Sequence, residues 1–432
     1  MKRKFFAALL SIIAFGSKAQ NVLTLPDAVN MALKNSLDLQ LAKNNVEIAG
    51  INHHIGVAGG LPLVTGSLVD NEQVTTVNQK QNSGNDINRT GAAANNLSAN
   101  ITGSILLYNG GRVVATKKRL AELQLQSQQQ LNAQIQNIIA SVMTGYYDIV
   151  RQQDYIKTID QSIEASQEQL NIVKIRQQAG LANNADLFQA QIDLNTLQQS
   201  KLAQQLVADQ AKAELLRLLT LKADSNITVK DTILVDKSIV LETILSGLEK
   251  NAEIQAALHQ VRINEQLLKE TRAQRFPSIR ATTGYIFSRN QAAAGQLLLN
   301  QTYGPTVGVS IGIPIYNGSI YRRQEQVAAI DIRNAQIQKE VLVRDYSAQA
   351  VKQFQAYANT INQLDTAVQN YKLSEKLLNL VLLKFQYKQA TIVEVKNAQQ
   401  SFQESGFRLV NLNYAAKAAE IELKRLANVL VP

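Results

Sequence analysis

Apolar residues recur every three or four positions along most of this chain, which is the spacing of one helix face. One such run comprises Ile135, Ile138, Ile139, Val142, Met143 and Tyr146. Residues 63–276 and 315–431 contain no proline, a residue that helix interiors exclude. We therefore expect very long helices, one of them from about Arg112 to Gln178. At 1.5 Å per residue this helix would be on the order of 100 Å long. Helices of that length must pair in a coiled-coil-like manner, with Gln-rich faces turned to water.

Two segments change from this helical period to a period of two, which is typical of β-strands. The first alternates over Leu61–Asp70 and again over Leu97–Leu107, around a polar loop at Asn78–Asn96. The second alternates over Ile279–Phe287 and Val307–Ile315, around a shorter loop near Asn290–Gln301. The pattern predicts two β-hairpins, at 61–108 and 277–316.

Strands of about ten residues with one apolar side are typical of membrane-spanning barrels. For any single segment, a half-buried soluble hairpin is an alternative. Two symmetrically placed hairpins favour the membrane interpretation. Four strands cannot close a barrel, because the smallest known barrels have eight strands and lipid leaves an open edge unsatisfied. The hairpins must then be completed by other copies of the chain.

Short motifs recur at a fixed spacing, which indicates a tandem duplication. Tyr108-Asn109-Gly110 returns as Tyr316-Asn317-Gly318, and Glu214-Leu215-Leu216-Arg217 returns as Glu422-Leu423-Lys424-Arg425, each time 208 positions later. We expect repeat 1 at 21–225 and repeat 2 at 226–432.

The first twenty residues combine a basic start, an apolar stretch and a small-residue end, which predicts a secretory signal peptide at 1–20. The formal net charge is +10, of which +4 lies in those twenty residues, leaving about +6. Lysine and arginine are spread along the predicted helices, so no nucleic-acid partner is expected. The chain has no cysteine, which excludes disulfides.

Catalytic, metal and cofactor motifs are not found in the sequence. The adjacent His53 and His54 point to different helix faces, whereas a helical metal pair needs a spacing such as i, i+4. We therefore expect no enzyme activity, metal or cofactor. A secreted oligomeric coiled-coil protein with a structural or adhesive role is the alternative function, and a periplasmic enzyme is a more distant one.

Several motifs taken together resemble the TolC-type outer-membrane efflux proteins. The segment Ser310–Gly318 resembles the end of that family's last barrel strand, and Ile105–Arg112 the entry into its first long helix. Ala179–Leu187 and Ala390–Val395 resemble its two periplasmic helical turns. The resemblance covers essentially the whole chain after residue 20.

This resemblance implies an α+β membrane protein built as a homotrimer, with a long α-helical periplasmic barrel and a transmembrane β-barrel shared between protomers. It implies a passive exit duct in the outer membrane, for efflux or type I secretion. The implied partners are a periplasmic adaptor, an inner-membrane transporter and outer-membrane lipid.

At the closed end of such a duct, the resemblance implies an acidic ring at Glu394. Carboxylate rings attract cations, although a glutamate stabilised by a helix N-terminus would look the same. Asn397 is neutral where relatives can carry a second acid, which predicts a weaker ring. Asp186 is the repeat-1 counterpart of Glu394, and relatives use an acid there to link neighbouring helices. Its matching partners would be Ala390 and Phe385, which cannot form that link, so Lys388 or Arg176 is the substitute to consider.

The two predicted turns hold Gly180-Leu181 and Lys388-Gln389. The resemblance makes these four residues the contacts for the adaptor. A purely structural explanation also suffices for Gly180, because glycine suits a helix C-terminus that needs a positive φ.

Overall fold

A computed structural model describes residues 22–80, 82, 84, 86–295 and 297–430, and the predicted signal peptide lies outside them. The α-helices within this part are α1 (Leu25–Asn35), α2 (Leu37–Asn52), α3 (Arg112–Gln178), α4 (Asn184–Leu218), α5 (Leu241–Gly247), α6 (Ala252–Ala273), α7 (Ile320–Gln386) and α8 (Ile392–Leu426). The strands are β1 (Leu63–Gln79), β2 (Ile87–Asn109), β3 (Ser278–Ala292) and β4 (Leu299–Gly312). No helix of the described part has a stretch long and apolar enough to cross a bilayer.

The long helices repeat with the period found in the sequence. Helices α3 and α7 each have 67 residues, and α4 and α8 each have 35. All four boundaries of the first pair return 208 positions later in the second pair. The predicted helix from Arg112 to Gln178 is confirmed to the residue.

One compact unit comprises residues 22–37, 135–247 and 348–430 of the described part. Its larger core is built on α3, where Val142, Tyr146 and Ile149 are almost fully buried, with Leu215 and Leu219 from the end of α4. The Tyr146 hydroxyl lies 3.1 Å from the Leu23 carbonyl oxygen, to which it donates. These apolar residues come from positions with the helical period, as the sequence predicts.

A buried charged cluster in the same unit fixes the segment before α5. Glu420 is only 2% exposed, and both Lys417 and Lys424 donate to its carboxylate at 2.9 Å. The Asp236 amide donates to the same carboxylate at 2.9 Å, and Lys424 also pairs with the Asp236 side chain at 3.1 Å. Buried charges are tolerated when they are paired and hydrogen-bonded in this way.

The second compact unit comprises residues 38–134 and 248–347 of the described part. Helix α6 is joined to the first part of α3 by a hydrogen bond between His259 and Glu122 and an ion pair between Arg119 and Glu270, both at 2.7 Å. The four strands form one antiparallel sheet in the order β1-β2-β3-β4. The hairpins of the two sequence repeats are therefore neighbours in one sheet, joined through β2 and β3.

The sheet has an apolar face and a polar face. Because directly paired residues point to the same side, the register places Leu68, Ala99, Phe287 and Tyr303 in one row, followed by Gly66, Ile101, Tyr285 and Pro305. The large side chains of this apolar face are exposed in the single chain, as Leu68 (71%) and Val307 (85%) illustrate. The polar face consists of the alternate positions, among them a row of four asparagines: Asn71, Asn96, Asn290 and Asn300.

The hairpins are confirmed, but several of their predicted limits are wrong. The first predicted loop, Asn78–Asn96, is largely strand, because β2 begins at Ile87. Its apolar residues, Ile87 and Ala92–Ala94, do not alternate with polar ones, so the period of two is lost while the backbone pairing continues. In the second hairpin β4 ends at Gly312, so Ile313 and Ile315 are not in a strand. Pro314, which lies between them, has no backbone N–H to donate to a sheet.

Candidate functional site

The predicted site residues lie at two helical turns of the first compact unit. The first tip (residues 179–183) joins α3 to α4, and the second tip (387–391) joins α7 to α8. Every position of the second tip lies 208 residues after its counterpart in the first. The two tips therefore give two versions of one structure within a single chain.

Both tips reverse the chain with the same backbone motif. Gly180 has φ +72° and its counterpart Lys388 has φ +64°. The Leu181 amide donates to the Arg176 carbonyl at 2.7 Å, and the Gln389 amide donates to the Lys384 carbonyl at 2.8 Å. These are the 6→1 hydrogen bonds of the Schellman type that close a helix C-terminus.

The left-handed conformation predicted for Gly180 is confirmed. That of Lys388 was missed, because a lysine gives no local signal for a positive φ. The available signal was its place 208 positions after Gly180. Among the four predicted adaptor contacts, the three with side chains, Leu181, Lys388 and Gln389, are exposed.

The two acidic candidates occupy equivalent places in the first turns of α4 and α8. The Asn183 side chain accepts from the Asp186 amide at 2.8 Å. At the second tip, the Thr391 hydroxyl accepts from the Glu394 amide at 3.2 Å, and the Thr391 amide donates to the Glu394 carboxylate at 2.6 Å. This reciprocal capping box fixes the Glu394 side chain at the helix start.

Hydrogen bonds from Thr391 lower the pKa of the exposed Glu394 carboxyl. The carboxylate accepts from the Thr391 backbone amide and hydroxyl, and these bonds hold its pKa below the ordinary 4.5. Glu394 is thus an exposed, ionised carboxylate, and Asn397 is exposed on the same helix. The structure gives Glu394 the capping role that the sequence left open.

A small apolar core joins the helices behind the tips. It contains Leu170 and Val173 of α3, Leu194 of α4, Leu382 and Phe385 of α7, and Val395 and Phe402 of α8. Since every one of the four helices contributes buried residues to this cluster, the two helical hairpins are packed together here.

Close to the tips, two polar contacts join the first hairpin (α3 and α4) to the second (α7 and α8), and further along the helices the Tyr371 hydroxyl donates to Gln161 at 3.0 Å. The Arg176 guanidinium donates to the Phe385 carbonyl and lies 4.4 Å from the centre of its ring. Lys396 pairs with Asp193 at 2.9 Å, and the Asp193 side chain is only 14% exposed.

These contacts change the predicted link. Arg176 was considered as a partner for Asp186, but its guanidinium contacts Phe385 instead. It donates to the Phe385 backbone carbonyl and lies over the Phe385 ring, although that side chain has no conventional hydrogen-bond acceptor. The pair Asp193–Lys396 was missed. The two repeats differ at both positions, because the counterpart of Asp193 is Ser401 and the counterpart of Lys396 is Phe188. A charge present in only one repeat is the signal that could have found it.

Metal-ligand clusters are not found among the described residues, in that no three His, Asp or Glu side chains are arranged to hold an ion. The tips offer backbone turns, carboxylates at helix starts and exposed side chains. Such groups suit an opening or docking surface.

Comparison with known proteins decides the family. The model of the family described as "Outer membrane efflux protein" matches two successive stretches, residues 28–220 and 244–429. The chain belongs to the outer membrane efflux protein family. The two matches also confirm the tandem repeat, because the same family model fits each half.

Relatives of this outer membrane efflux protein include outer membrane protein TolC of Vibrio cholerae, 24% identical over 364 residues that cover 80% of this chain and 81% of that protein. Proteases secretion protein PrtF of Dickeya chrysanthemi is 21% identical over 440 residues, covering 100% of this chain and 93% of PrtF. Among solved structures, the CmeC outer membrane channel of Campylobacter jejuni has a TM-score of 0.77 at 16% identity, covering 99% of this chain and 94% of that one.

The chain is thus an outer-membrane protein of the TolC type, and it serves as an exit duct. The family is one of channels and not of enzymes. This result favours the duct over the structural or adhesive protein that the sequence left as an alternative.

Proposed function

We propose that three copies of this chain form one passive duct, in which their sheets close a common barrel through the outer membrane. The observation that carries this proposal is the four-stranded sheet. Its apolar face exposes large side chains, and β1 and β4 are edge strands within the described sheet. An open strand edge is not tolerated in lipid, so the edges need partners. Pairing β4 of one copy with β1 of the next would supply them.

The duct is proposed to receive its cargo from an inner-membrane transporter through a periplasmic adaptor, and to use no energy itself. Relatives named for protease secretion and for toxin and drug export support such a role. Gly180, Leu181, Lys388 and Gln389 are the proposed adaptor contacts. The exposed tip surface supports this assignment, with Leu181 59% exposed.

Glu394 is proposed as the acidic ring at the periplasmic opening, with Asn397 as its neutral neighbour. Three ionised carboxylates around a narrow opening would favour cations over anions. The low pKa of Glu394 supports a ring that stays charged in the periplasm. Asp186, in the equivalent turn of α4, would add a second carboxylate to the same end of the duct.

Closure of the duct is proposed to depend on the two contacts that join the hairpins close to the tips, namely Lys396 with Asp193 and Arg176 with Phe385. Opening would require the first hairpin to move away from the second. That movement would separate Lys396 from Asp193 and Arg176 from Phe385. An ion pair with one exposed partner contributes up to about 1 kcal/mol, a factor of about 5 in the ratio of open to closed states.

This mechanism predicts that breaking the pair opens the duct. Asp193→Asn and Lys396→Met should each raise the open probability of single channels in planar bilayers by up to about 5-fold, and the time-averaged conductance with it. The charge swap Asp193→Lys with Lys396→Asp should restore the closed duct. Asp160→Asn is the matched control, because Asp160 pairs with Lys201 at 2.7 Å within the first hairpin.

Equal conductance in wild type and both single variants would contradict the closing role of this pair. An increase in Asp160→Asn of the same size would show that any lost ion pair loosens the helices. Absence of conductance from the wild-type protein and from both single variants, each in detergent-extracted, trimeric form, would contradict the duct itself.

A further inference from the structure

Within the aligned parts of the four described strands, the polar face of the sheet carries a single charge. Over the aligned ranges 63–75, 92–104, 278–292 and 300–312, Arg280 is the one charged residue that the register places on this face. Asp70, Glu72 and Arg289 occupy alternate positions and therefore belong to the apolar face. The polar face thus has no carboxylate within these ranges.

The neighbours of Arg280 on the polar face are uncharged, beginning with Leu106 of β2 and Ser310 of β4, with which it pairs directly. The next rows hold Ser104 with Thr282, then Thr102 with Thr306, and further along the row of four asparagines. Hydroxyl and amide groups can accept or donate hydrogen bonds, so they interact with ions of either sign. Sign discrimination on this face therefore falls to Arg280.

The guanidinium of Arg280 is held but not neutralised. Arg280 is the third residue of β3 and pairs with Ser310 of β4. Its Nη1 donates to the Ser104 hydroxyl of β2 at 3.4 Å. In the described part of the chain it forms no ion pair with a carboxylate within 4.0 Å, whereas Arg272 and Arg275 nearby both pair with Glu325 at 2.8 Å. An arginine stays protonated at every pH the protein meets.

In a barrel, the apolar face of a sheet turns to lipid and the polar face lines the lumen. We propose that Arg280 is a specificity-determining residue of the duct, which lines the lumen with positive charge and favours anionic over cationic permeants. This inference rests on the proposed function, because only a closed barrel gives the polar face a lumen. Repeated in each copy, Arg280 would form a positive ring near the end of the barrel where the strands join the helices.

A ring of fixed charge raises the local concentration of ions of opposite sign. Its reach is set by screening, with a Debye length of about 30 Å at 0.01 M salt and about 3 Å at 1 M. Selectivity from Arg280 must therefore be strong in dilute salt and weak in concentrated salt. The Glu394 carboxylates act in the opposite sense, so their effect has to be removed before that of Arg280 is measured.

The test measures reversal potentials of the full-length trimer in planar bilayers under a KCl gradient in dilute salt. All variants carry Glu394→Gln. Arg280→Gln should lower the ratio of chloride to potassium permeability by about 3-fold, and Arg280→Glu should lower it further. Arg280→Lys should keep the ratio of its parent, and the differences should shrink in 1 M KCl.

Arg289→Gln is the matched control, because it removes an arginine from the same strand but from the apolar face. Its guanidinium donates to Asn95 at 3.3 Å. An unchanged permeability ratio in Arg280→Gln, with normal conductance, would overturn the inference and leave the duct intact. A shift of equal size in Arg289→Gln would overturn it as well. A protein that conducts in none of these forms would fail as a duct, and the inference would fail with it.

Discussion

The first and second tips have the same backbone and different side chains. Gly180 and Lys388 have the same left-handed conformation, and Asn183 and Thr391 cap the following helix in the same place. The second tip has the full capping box, and its helix α8 carries Lys396, where the first repeat has Phe188. The duplicated unit thus keeps its turn geometry while its polar groups diverge.

This difference separates what a tip needs in order to fold from what each tip does. Turn reversal and helix capping are needed twice, so they occur twice. The contacts between hairpins need one partner from each side, so Asp193 occurs only in the first repeat and Lys396 only in the second. Changes at paired positions can therefore test structure and function separately.

The largest expected effect is at the core behind the tips, where Phe402 is the counterpart of Leu194. Both are nearly buried, at 2% and 3% exposure, and the Phe402 ring lies 5.4 Å from that of Tyr371. Phe402→Ala should lower the free energy of unfolding by about 4 kcal/mol and Leu194→Ala by about 3 kcal/mol. Urea unfolding followed by circular dichroism at 222 nm measures both. A larger loss for Leu194→Ala would contradict the ranking.

A smaller and opposite pair of effects is expected at the left-handed positions. Gly180→Ala should destabilise by about 1 kcal/mol, because a Cβ is strained at positive φ. The added alanine Cβ would meet no atom within 4 Å, so the loss of stability would come from backbone strain alone and not from a steric clash. Lys388→Gly should stabilise by about 0.5 kcal/mol, since it removes the same strain but adds freedom to the unfolded chain.

The same unfolding curves measure these changes, with Gln389→Gly as the control. Gln389 follows Lys388 and has no positive φ, so glycine there should only destabilise. If Gln389→Gly also stabilised the protein, the stabilisation by Lys388→Gly would have to come from a general loosening of the tip and not from relief of backbone strain at Lys388.

The smallest effect is a pH dependence at Glu394. The bonds from Thr391 lower its pKa in the folded protein, so the carboxylate stays ionised as pH falls through 4.5. The stabilisation from the capping box, and the proposed cation preference, should be fully present above the unfolded pKa and lost as pH falls through the lower folded pKa. Reversal potentials measured at decreasing pH test this sign.

Thr391→Val is the informative variant for this titration. It removes the hydroxyl donor, so the folded pKa should rise and cation preference should be lost at a higher pH than in wild type. Glu394→Gln should show no loss over that range. A wild-type transition above pH 4.5 would contradict the proposed environment of Glu394.

Much of the fold could be predicted because the relevant signals are local. Proline-free, periodic stretches predicted the limits of α3, and the observed limits of α7 lie at the fixed spacing of 208 from them. The strand limits were less accurate. Around Asn78–Asn96 apolar and polar residues do not alternate although the backbone is paired, since alternation reflects a difference in burial between the two faces. The left-handed Lys388 could be found only through its counterpart, Gly180.

The sequence by itself determined the two repeats, the long helices, the two hairpins and the places of the tips, because periodicity and proline positions are local signals and the repeated motifs can be compared directly along the chain. Only the tertiary structure decided which side chains meet across helices and strands. It paired Asp193 with Lys396, placed Arg176 against Phe385 and made Arg280 the one charged residue on the polar face over the aligned strand ranges. Such contacts depend on register and packing between segments far apart in the chain, and no local pattern encodes them.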